Sequence, residues 1–221
     1  MMTTAVKRAL IIGNDSYEGK KRLESCINDA KDMSEALNLI GFHVKMKTDL
    51  PYMGMDIVTN RFIKSIRPGD LALFYFSGHG SQFEGKNYLK PIEDVQQSED
   101  EHILGIDAQK LIMDMHQRRP RLVIFILDCC RNVLLQPPAR MKHFFSVKSA
   151  RMKDGLTAMQ APPATIIAYP CAVDTSTLAG TVEDNSLYTC FLLRNIVLPI
   201  EVEKMLKKTA LEVQKATDIN E

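Results

Sequence analysis

The sequence predicts an α/β protein whose central sheet is mainly parallel and carries helices on both faces. Two apolar runs, residues 71–76 and 122–127, show no polar alternation, which is typical of strands buried on both faces. Segments with the apolar spacing of helices separate these strands from others along the chain. The resulting order, β-α-β-α-β-α-β-β-α-α, favours a parallel, doubly wound sheet.

The composition fits one globular domain over residues 1–221. Hydrophobic residues make up 45% of the chain and charged residues 25%, which are ordinary values for a protein with a real core. The formal net charge of +1 gives no electrostatic reason to expect nucleic acid or a membrane surface as a partner. No apolar run is long enough to span a bilayer and no signal region precedes the first strand, so we expect a cytoplasmic protein.

The cysteines argue against disulfides and against a structural metal. There are five of them, without a Cys-x-x-Cys pair, whereas a disulfide framework or a zinc site needs paired spacings. They are Cys26, Cys129, Cys130, Cys171 and Cys190. Reduced thiols fit a cytosolic setting. From these residues we therefore expect no metal and no other cofactor.

The first part of the chain alternates strands with helices. Residues 9–12 predict a strand ended by a Gly-Asn-Asp turn. Apolar residues that recur every three or four positions from Cys26 predict a helix with Asp29 near its start. Residues 42–47 alternate in polarity, as in a strand at a sheet edge. The dipeptide Thr48-Asp49 is predicted to cap a second helix, which ends before the strand at residues 71–76.

The second part continues the alternation with longer loops. A hairpin or loop is predicted from residue 80 to residue 94, and Asp107 is predicted to start the third helix. Residues 137–163 show no clean period and contain a Pro-Pro pair, so we interpret them as a mobile loop. The remaining predicted elements are a strand at residues 165–169, a loop at 170–185 and helices at 186–198 and 201–216.

Polar residues follow the two buried strands at the point where each strand ends. The first run leads into Ser77-Gly78-His79-Gly80 and the second into Asp128-Cys129-Cys130. Sites in open α/β sheets are built at the carboxyl ends of the strands, so we expect both segments at one edge. Cys130 follows His79 by 51 residues, close to the separation of about 50 found in one class of cysteine enzymes.

A histidine and a cysteine at one sheet edge can perform acyl transfer. An imidazole beside a thiol favours the reactive thiolate and can protonate the leaving amine. Glycines on both sides of His79 leave the backbone bare where a substrate must approach. We therefore predict His79 and Cys130 as a catalytic pair, with the backbone amides of Gly80 and Cys130 as donors to the oxyanion.

The chain resembles the caspase-like cysteine peptidases, in particular the paracaspases and metacaspases. The resemblance covers nearly the whole chain. It includes SGHG and D-x-C-R-N at the two strand ends, the Gly-Asn turn after the first strand, and the segments CIND at residues 26–29, PIED at 91–94 and DNSLYT at 184–189. It implies a caspase-like, three-layer α/β/α fold with a mainly parallel central sheet. It also implies a cysteine endopeptidase that acts on proteins or peptides.

The resemblance assigns roles to individual residues. It implies that Cys130 is the nucleophile and Cys129 a spacer. The positions that match Asp29 and Asp128 form an acidic S1 pocket in this branch, which implies arginine or lysine at P1, and two carboxylates in a desolvated slot would repel an aspartate. Cys26 and Ser77 match further pocket positions. Structural alternatives are a helix-start acid for Asp29 and a carboxylate satisfied by backbone amides for Asp128.

Three departures from the family pattern bear on function. Metacaspases often need calcium, but no convincing acidic cluster for it can be picked out here, so activation by calcium stays open. A third acid expected after the fifth strand has no counterpart at the aligned position, so a preference between arginine and lysine stays open. The chain reaches Glu221 without the final strand through which family members often form homodimers, so whether it forms a homodimer by that route stays open. By analogy, residues 1–136 are large-subunit-like and 164–221 small-subunit-like. The alternative function is a catalytically idle regulatory or protein-interaction module.

Overall fold

The computed structural model describes residues 5–18, 22–83, 85–93, 105–130, 152–154, 156, 158–170 and 184–218. Their strands are β1 (Lys7–Gly13), β2 (His43–Thr48), β3 (Leu71–Phe83), β4 (Lys86–Leu89), β5 (Ile106–Asp107), β6 (Leu122–Cys130), β7 (Met152–Asp154) and β8 (Thr165–Ala168). Their helices are α1 (Cys26–Leu39), α2 (Tyr52–Ser65), α3 (Ala108–Gln117), α4 (Leu187–Ile196) and α5 (Val202–Asp218).

Five strands form the parallel part of the sheet, in the order β2-β1-β3-β6-β8. Each neighbouring pair in this order is parallel. The two apolar runs, β3 and β6, lie side by side at the centre, which explains why neither shows polar alternation. The alternating strand β2 lies at the edge, as its pattern predicts.

The helices cover both faces of the sheet, so the predicted three-layer α/β/α fold is confirmed. Successive residues of a strand face opposite sides. One face packs on α2 and α3 through a cluster that includes Leu10, Ile12, Phe74, Phe76, Phe125 and Leu127. The other packs on α1, α4 and α5 through a cluster that includes Ile11, Leu73, Tyr75, Ile124 and Ile126.

Strand β3 continues past the parallel sheet and forms an antiparallel extension. Its last residues pair with β4 and with β7, and β4 in turn pairs with β5. The predicted hairpin after His79 is therefore confirmed. The extension keeps the backbone around His79 in a regular strand rather than in a free loop.

Two local predictions need correction. Pro51 is the N-cap of α2, in place of Thr48-Asp49. The Asp49 side chain instead accepts hydrogen bonds from the backbone N–H groups of Asp15 and Ser16, at 2.8 and 3.0 Å. The loop predicted for residues 137–163 contains β7, and Leu156 just after it is buried. A strand of three residues is too short for its polarity period to be visible in the sequence.

Other boundaries agree with the prediction. Asp107 caps α3, because its side chain accepts a hydrogen bond from Lys110 N–H at 2.9 Å. The predicted loop at residues 170–185 lies almost wholly outside the described residues. None of the helices that the structure describes is long and apolar enough to cross a membrane.

Candidate active site

The register between β3 and β6 brings the two strand-end motifs together. His79 is the pairing partner of Cys130, and Ser77 is the partner of Asp128. Adjacent strands are about 4.8 Å apart, so the motifs share one edge of the sheet. The sequence predicted this neighbourhood, and the register confirms it. Arg131 and Asn132, which complete the second motif, lie outside the described residues.

His79 is anchored by residues from outside its own strand. Strand β1 ends at Gly13, which pairs with Ser77, two residues before His79. Beyond that point the Tyr17 hydroxyl accepts a hydrogen bond from His79 N–H at 2.7 Å. The His79 carbonyl accepts one from Lys90 N–H at 2.9 Å. The rings of Tyr17 and His79 are 4.3 Å apart between centroids and tilted by 55°.

The glycines on either side of His79 are explained by packing of the chain itself. A Cβ on Gly78 would lie 2.5 Å from the Tyr17 hydroxyl and 2.7 Å from the Phe76 ring. A Cβ on Gly80 would lie 2.9 Å from the Leu156 side chain. A side chain on Gly78 would therefore displace the Tyr17 hydroxyl and the Phe76 ring, and one on Gly80 would displace the end of the Leu156 side chain. The predicted use of the Gly80 amide as an oxyanion donor stays a prediction.

Asp29 and Asp128 are joined through the start of α4. Asp29 Oδ1 accepts a hydrogen bond from Ser186 N–H at 2.9 Å, and its Oδ2 accepts one from Ser77 Oγ at 2.9 Å. Asp128 Oδ2 accepts hydrogen bonds from Ser186 Oγ and, at 2.7 Å, from Thr189 Oγ1. The two carboxyl groups that the sequence predicted as one pocket therefore share a hydrogen-bonding partner.

The environments of the two carboxyl groups raise both pKa values. Asp29 is fully buried, and burial together with the nearby charge of Asp128 raises its pKa to about 8. Burial also raises the pKa of Asp128, although hydrogen bonds from Ser186 and Thr189 oppose the shift. Near neutral pH the pair therefore holds a proton that two solvated carboxylates would have lost.

Gly13, at the end of β1, lets the first turn of α1 pack close enough to the sheet to place Asp29 beside Ser77. A Cβ on Gly13 would lie 2.2 Å from the Cys26 carbonyl oxygen and 2.8 Å from the Ala30 Cβ. The first turn of α1 therefore packs directly on the strand. Asp15 ties down the same turn by accepting a hydrogen bond from Cys26 N–H at 2.9 Å.

The two further cysteines near the site are both buried. Cys26 begins α1, and burial raises the pKa of its thiol well above the ordinary value. Cys129 lies within the apolar cluster under α2 and α3. Burial thus favours the neutral thiol of Cys26, while the spacer role of Cys129 and the pocket role of Cys26 stay predictions.

Three residues near the predicted site were missed by sequence reasoning. Ser186 and Thr189 belong to the motif at residues 184–189, and Ser186 shows the N-cap pattern of a serine before an apolar helix. That signal locates the helix start but not its contact with Asp128. Tyr17 lies in a loop and shows no pattern of its own.

Among the residues with described structure, no group of three or more His, Cys, Asp or Glu side chains could hold a metal ion. The prediction that the protein needs no cofactor stays a prediction.

The three-layer α/β/α fold, with a histidine beside a cysteine at the carboxyl edge of its parallel sheet, is that of the caspase-like peptidase domains. The chain belongs to the caspase-domain family, peptidase C14, whose pattern it matches over residues 6–220.

Known relatives lie in the paracaspase and metacaspase branch, as the motifs indicated. The chain is 27% identical over 126 residues to human mucosa-associated lymphoid tissue lymphoma translocation protein 1. This match covers 57% of this chain and 15% of that protein. It is 28% identical over 149 residues to metacaspase-2 of Trypanosoma brucei brucei, covering 57% of this chain and 41% of the relative. It is 29% identical over 147 residues to metacaspase-1A of Aspergillus niger, and this match covers 58% of this chain and 36% of the relative. The chain thus spans less than half the length of these relatives.

Proposed function

We propose that this protein is a cysteine endopeptidase that cleaves peptide bonds after arginine or lysine. The observation that carries the proposal is the register of β3 and β6, which pairs His79 with Cys130 and Ser77 with Asp128. One edge of the sheet thus offers a nucleophile, a proton carrier and an acidic group within a few residues of one another. Membership of the caspase-domain family supports the reaction type.

In the proposed reaction, the Cys130 thiolate attacks the carbonyl carbon of the scissile bond. The oxyanion that forms accepts hydrogen bonds from the Gly80 and Cys130 amides. As the C–N bond breaks, His79 donates its proton to the leaving amine and a thioester remains. His79 then removes a proton from a water molecule that attacks the thioester, which releases the acid and restores the thiol.

The arrangement of the acidic pair supports a basic P1 residue. Asp128 is half-buried and, within the described structure, its Oδ1 accepts no hydrogen bond, whereas its Oδ2 accepts two. We therefore assign Asp128 as the carboxylate that contacts the P1 cation. The fully buried Asp29 shares Ser186 with it, and above its pKa of about 8 it adds a second negative charge in a low-dielectric setting, where charge interactions are strong.

The idle regulatory module remains the second candidate, because one observation favours it. Both carboxyl groups already accept hydrogen bonds from within the chain, and Asp29 is inaccessible to solvent. Buried acids that tie α1, β6 and α4 together would serve stability without any substrate. Turnover decides between the two functions.

The deciding experiment measures hydrolysis of peptide reporters with arginine, lysine or aspartate at P1. We expect turnover with arginine and lysine and none with aspartate. Cys130→Ala should lower kcat by at least about 10³-fold, as removal of a nucleophile does. Cys129→Ala is the matched control, because it removes the adjacent thiol, and should keep kcat within about threefold of the original protein.

Each contrary result has a definite meaning. Activity that survives Cys130→Ala contradicts the assignment of the nucleophile. Preference for aspartate at P1 contradicts the acidic pocket. Absence of turnover, with or without calcium, selects the idle module. A cytoplasmic location and the division into large- and small-subunit-like parts stay predictions, and formation of a homodimer stays an open question that the oligomeric state in solution would test.

A further inference from the structure

Tyr17 closes a ring of hydrogen bonds around the backbone of His79. Its hydroxyl accepts from His79 N–H at 2.7 Å and donates to the Lys90 carbonyl at 3.4 Å. Lys90 N–H in turn donates to the His79 carbonyl at 2.9 Å. The amide of Asn14 strengthens the ring from the same loop, because its Nδ2 also donates to the Lys90 carbonyl, at 3.1 Å.

This ring stands where the regular sheet has ended on one side of β3. The last pairing between β1 and β3 joins Gly13 to Ser77, and the last backbone bond runs from Asn14 N–H to the Ser77 carbonyl at 2.9 Å. A parallel strand would next offer a carbonyl to His79 N–H. The Tyr17 hydroxyl takes the place of that carbonyl, so a side chain continues the ladder at this residue.

The packing around Tyr17 leaves it little freedom. Tyr17 is 8% exposed, and burial raises the pKa of its hydroxyl far above the ordinary value, so the group stays a neutral donor and acceptor. The hydroxyl lies so close to Gly78 that a Cβ there would be 2.5 Å away. The Tyr17 ring also contacts the His79 imidazole, with centroids 4.3 Å apart.

We infer that Tyr17 is a positioning residue that fixes both the backbone and the ring orientation of His79 relative to Cys130. The inference rests on the proposed function, in which His79 carries the proton. Acyl transfer depends on the geometry of its groups, and a displacement of about 1 Å can cost about a hundredfold in rate. A tyrosine that only filled space would act through its ring, whereas the inferred role requires the hydroxyl.

The test is Tyr17→Phe in the full chain, which keeps the ring and removes the hydroxyl. With a P1 arginine reporter, we expect kcat to fall by about tenfold to a hundredfold while KM stays within about twofold. The ring nitrogens of His79, observed in a long-range ¹H–¹⁵N spectrum and assigned with His79→Gln, should shift in Tyr17→Phe. The matched control, Tyr52→Phe, removes a hydroxyl from a half-buried tyrosine at the start of α2 and should change neither readout.

Gly78→Ala provides a second variant, because its methyl group would displace the same hydroxyl from the other side. It should give the same loss in kcat with little change in KM. A folded Tyr17→Phe protein with the original kcat and unchanged His79 ring signals overturns the inference. If the original protein shows no turnover, the proposed function fails. The His79 ring signals still test the position of the imidazole in that case.

Discussion

Asp29 is a buried carboxyl group whose pKa lies far above the ordinary value. Its pKa of about 8 arises first from burial and then from the charge of Asp128. Below that pH the acidic pair carries less negative charge, and above it the second carboxylate ionises. A cationic P1 side chain should therefore bind more strongly as pH rises through about 8.

We predict that the ratio of kcat/KM for P1 arginine to that for P1 citrulline rises as pH increases through about 8. Citrulline has nearly the shape of arginine without its charge, so titration of His79 and Cys130 cancels in the ratio. Asp29→Asn should remove the rise. Glu35→Gln removes an exposed carboxylate from the same helix and should leave the ratio unchanged. If the ratio still rises through about pH 8 in Asp29→Asn, ionisation of Asp29 is not the cause of the rise.

The same shift affects stability. The folded state holds the Asp29 proton more tightly than the unfolded chain, whose carboxyl group has a pKa of about 3.9. The corresponding stability is fully present below about pH 4 and is lost as pH rises through about 8. The original protein should therefore lose more stability between pH 6 and pH 9 than Asp29→Asn does.

At the level of elements, the start of α4 connects the sheet with α1. Asn28 Nδ2 donates to the Asp184 carbonyl at 3.3 Å, and Asn185 Nδ2 donates to Asp32 Oδ2 at 2.7 Å. With the bond from Ser186 to Asp29, three successive residues before α4 are tied to one face of α1. The position of α4 is thus coupled to the acidic pair.

We predict that Ser186→Ala lowers the free energy of unfolding and raises the pKa of the acidic pair. The Ser186 hydroxyl accepts a hydrogen bond from Thr189 N–H at 3.0 Å, and loss of such a cap costs about 0.5–2 kcal/mol. It also donates to Asp128, which lowers the pKa of that carboxyl. Without it, the midpoint of the arginine-to-citrulline ratio should move to higher pH. Urea unfolding and the pH series measure the two effects.

The control is Asp107→Ala, which removes the corresponding cap of α3. Because Asp107 accepts a hydrogen bond from Lys110 N–H in the same manner, the loss of stability should be similar. The pH midpoint should not move, because Asp107 is not part of the acidic pair. An equal shift in both variants would show that the shift follows from reduced stability alone.

Across the whole molecule, the site and a second polar centre lie at opposite ends of the strands. Asp70, just before β3, is 2% exposed and accepts hydrogen bonds from Val6 N–H at 2.9 Å, Arg8 Nε at 2.7 Å and Arg67 N–H at 3.0 Å. Its carbonyl accepts one from Arg121 N–H at 2.7 Å. One residue thus joins the amino ends of β1, β3 and β6.

We predict that Asp70→Asn lowers the free energy of unfolding by about 1–3 kcal/mol at pH 7, because hydrogen bonds to a charged group are lost in a buried setting. Burial opposes the charge of Asp70, but the bonds from Arg8, Val6 and Arg67 outweigh it and lower the pKa. The contribution is therefore present above about pH 4 and is lost as pH falls through the lowered pKa. Urea unfolding at pH 7 and pH 3 measures the difference.

Asp114→Asn is the control for this prediction. It breaks the exposed pair of Lys110 and Asp114, which spans one turn of α3, and should cost less than about 0.5 kcal/mol. If the free energies of unfolding of Asp70→Asn and the original protein differ by the same amount at pH 7 and at pH 3, the role of the Asp70 charge is contradicted.

Much of the molecule follows from local sequence patterns. Period and composition suffice to predict features that lie within a short stretch of sequence. These features include the apolar runs of β3 and β6, the polar residues that end them and the helical spacing after Cys26. The convergence of His79 and Cys130 follows because carboxyl ends of parallel strands share an edge. Local patterns failed at β7, which is too short to show a period, and at the N-cap of α2.

The contacts that shape the site depend on tertiary structure. The bond between Tyr17 and His79 joins residues 62 positions apart, and those from Ser186 and Thr189 to Asp128 span 58 and 61 positions. Such contacts depend on where packed elements finally lie, and their side chains follow no period. The chemical groups of the site and their shared edge can therefore be predicted from the chain, whereas the partners that orient those groups and shift their pKa values are set by the packed fold.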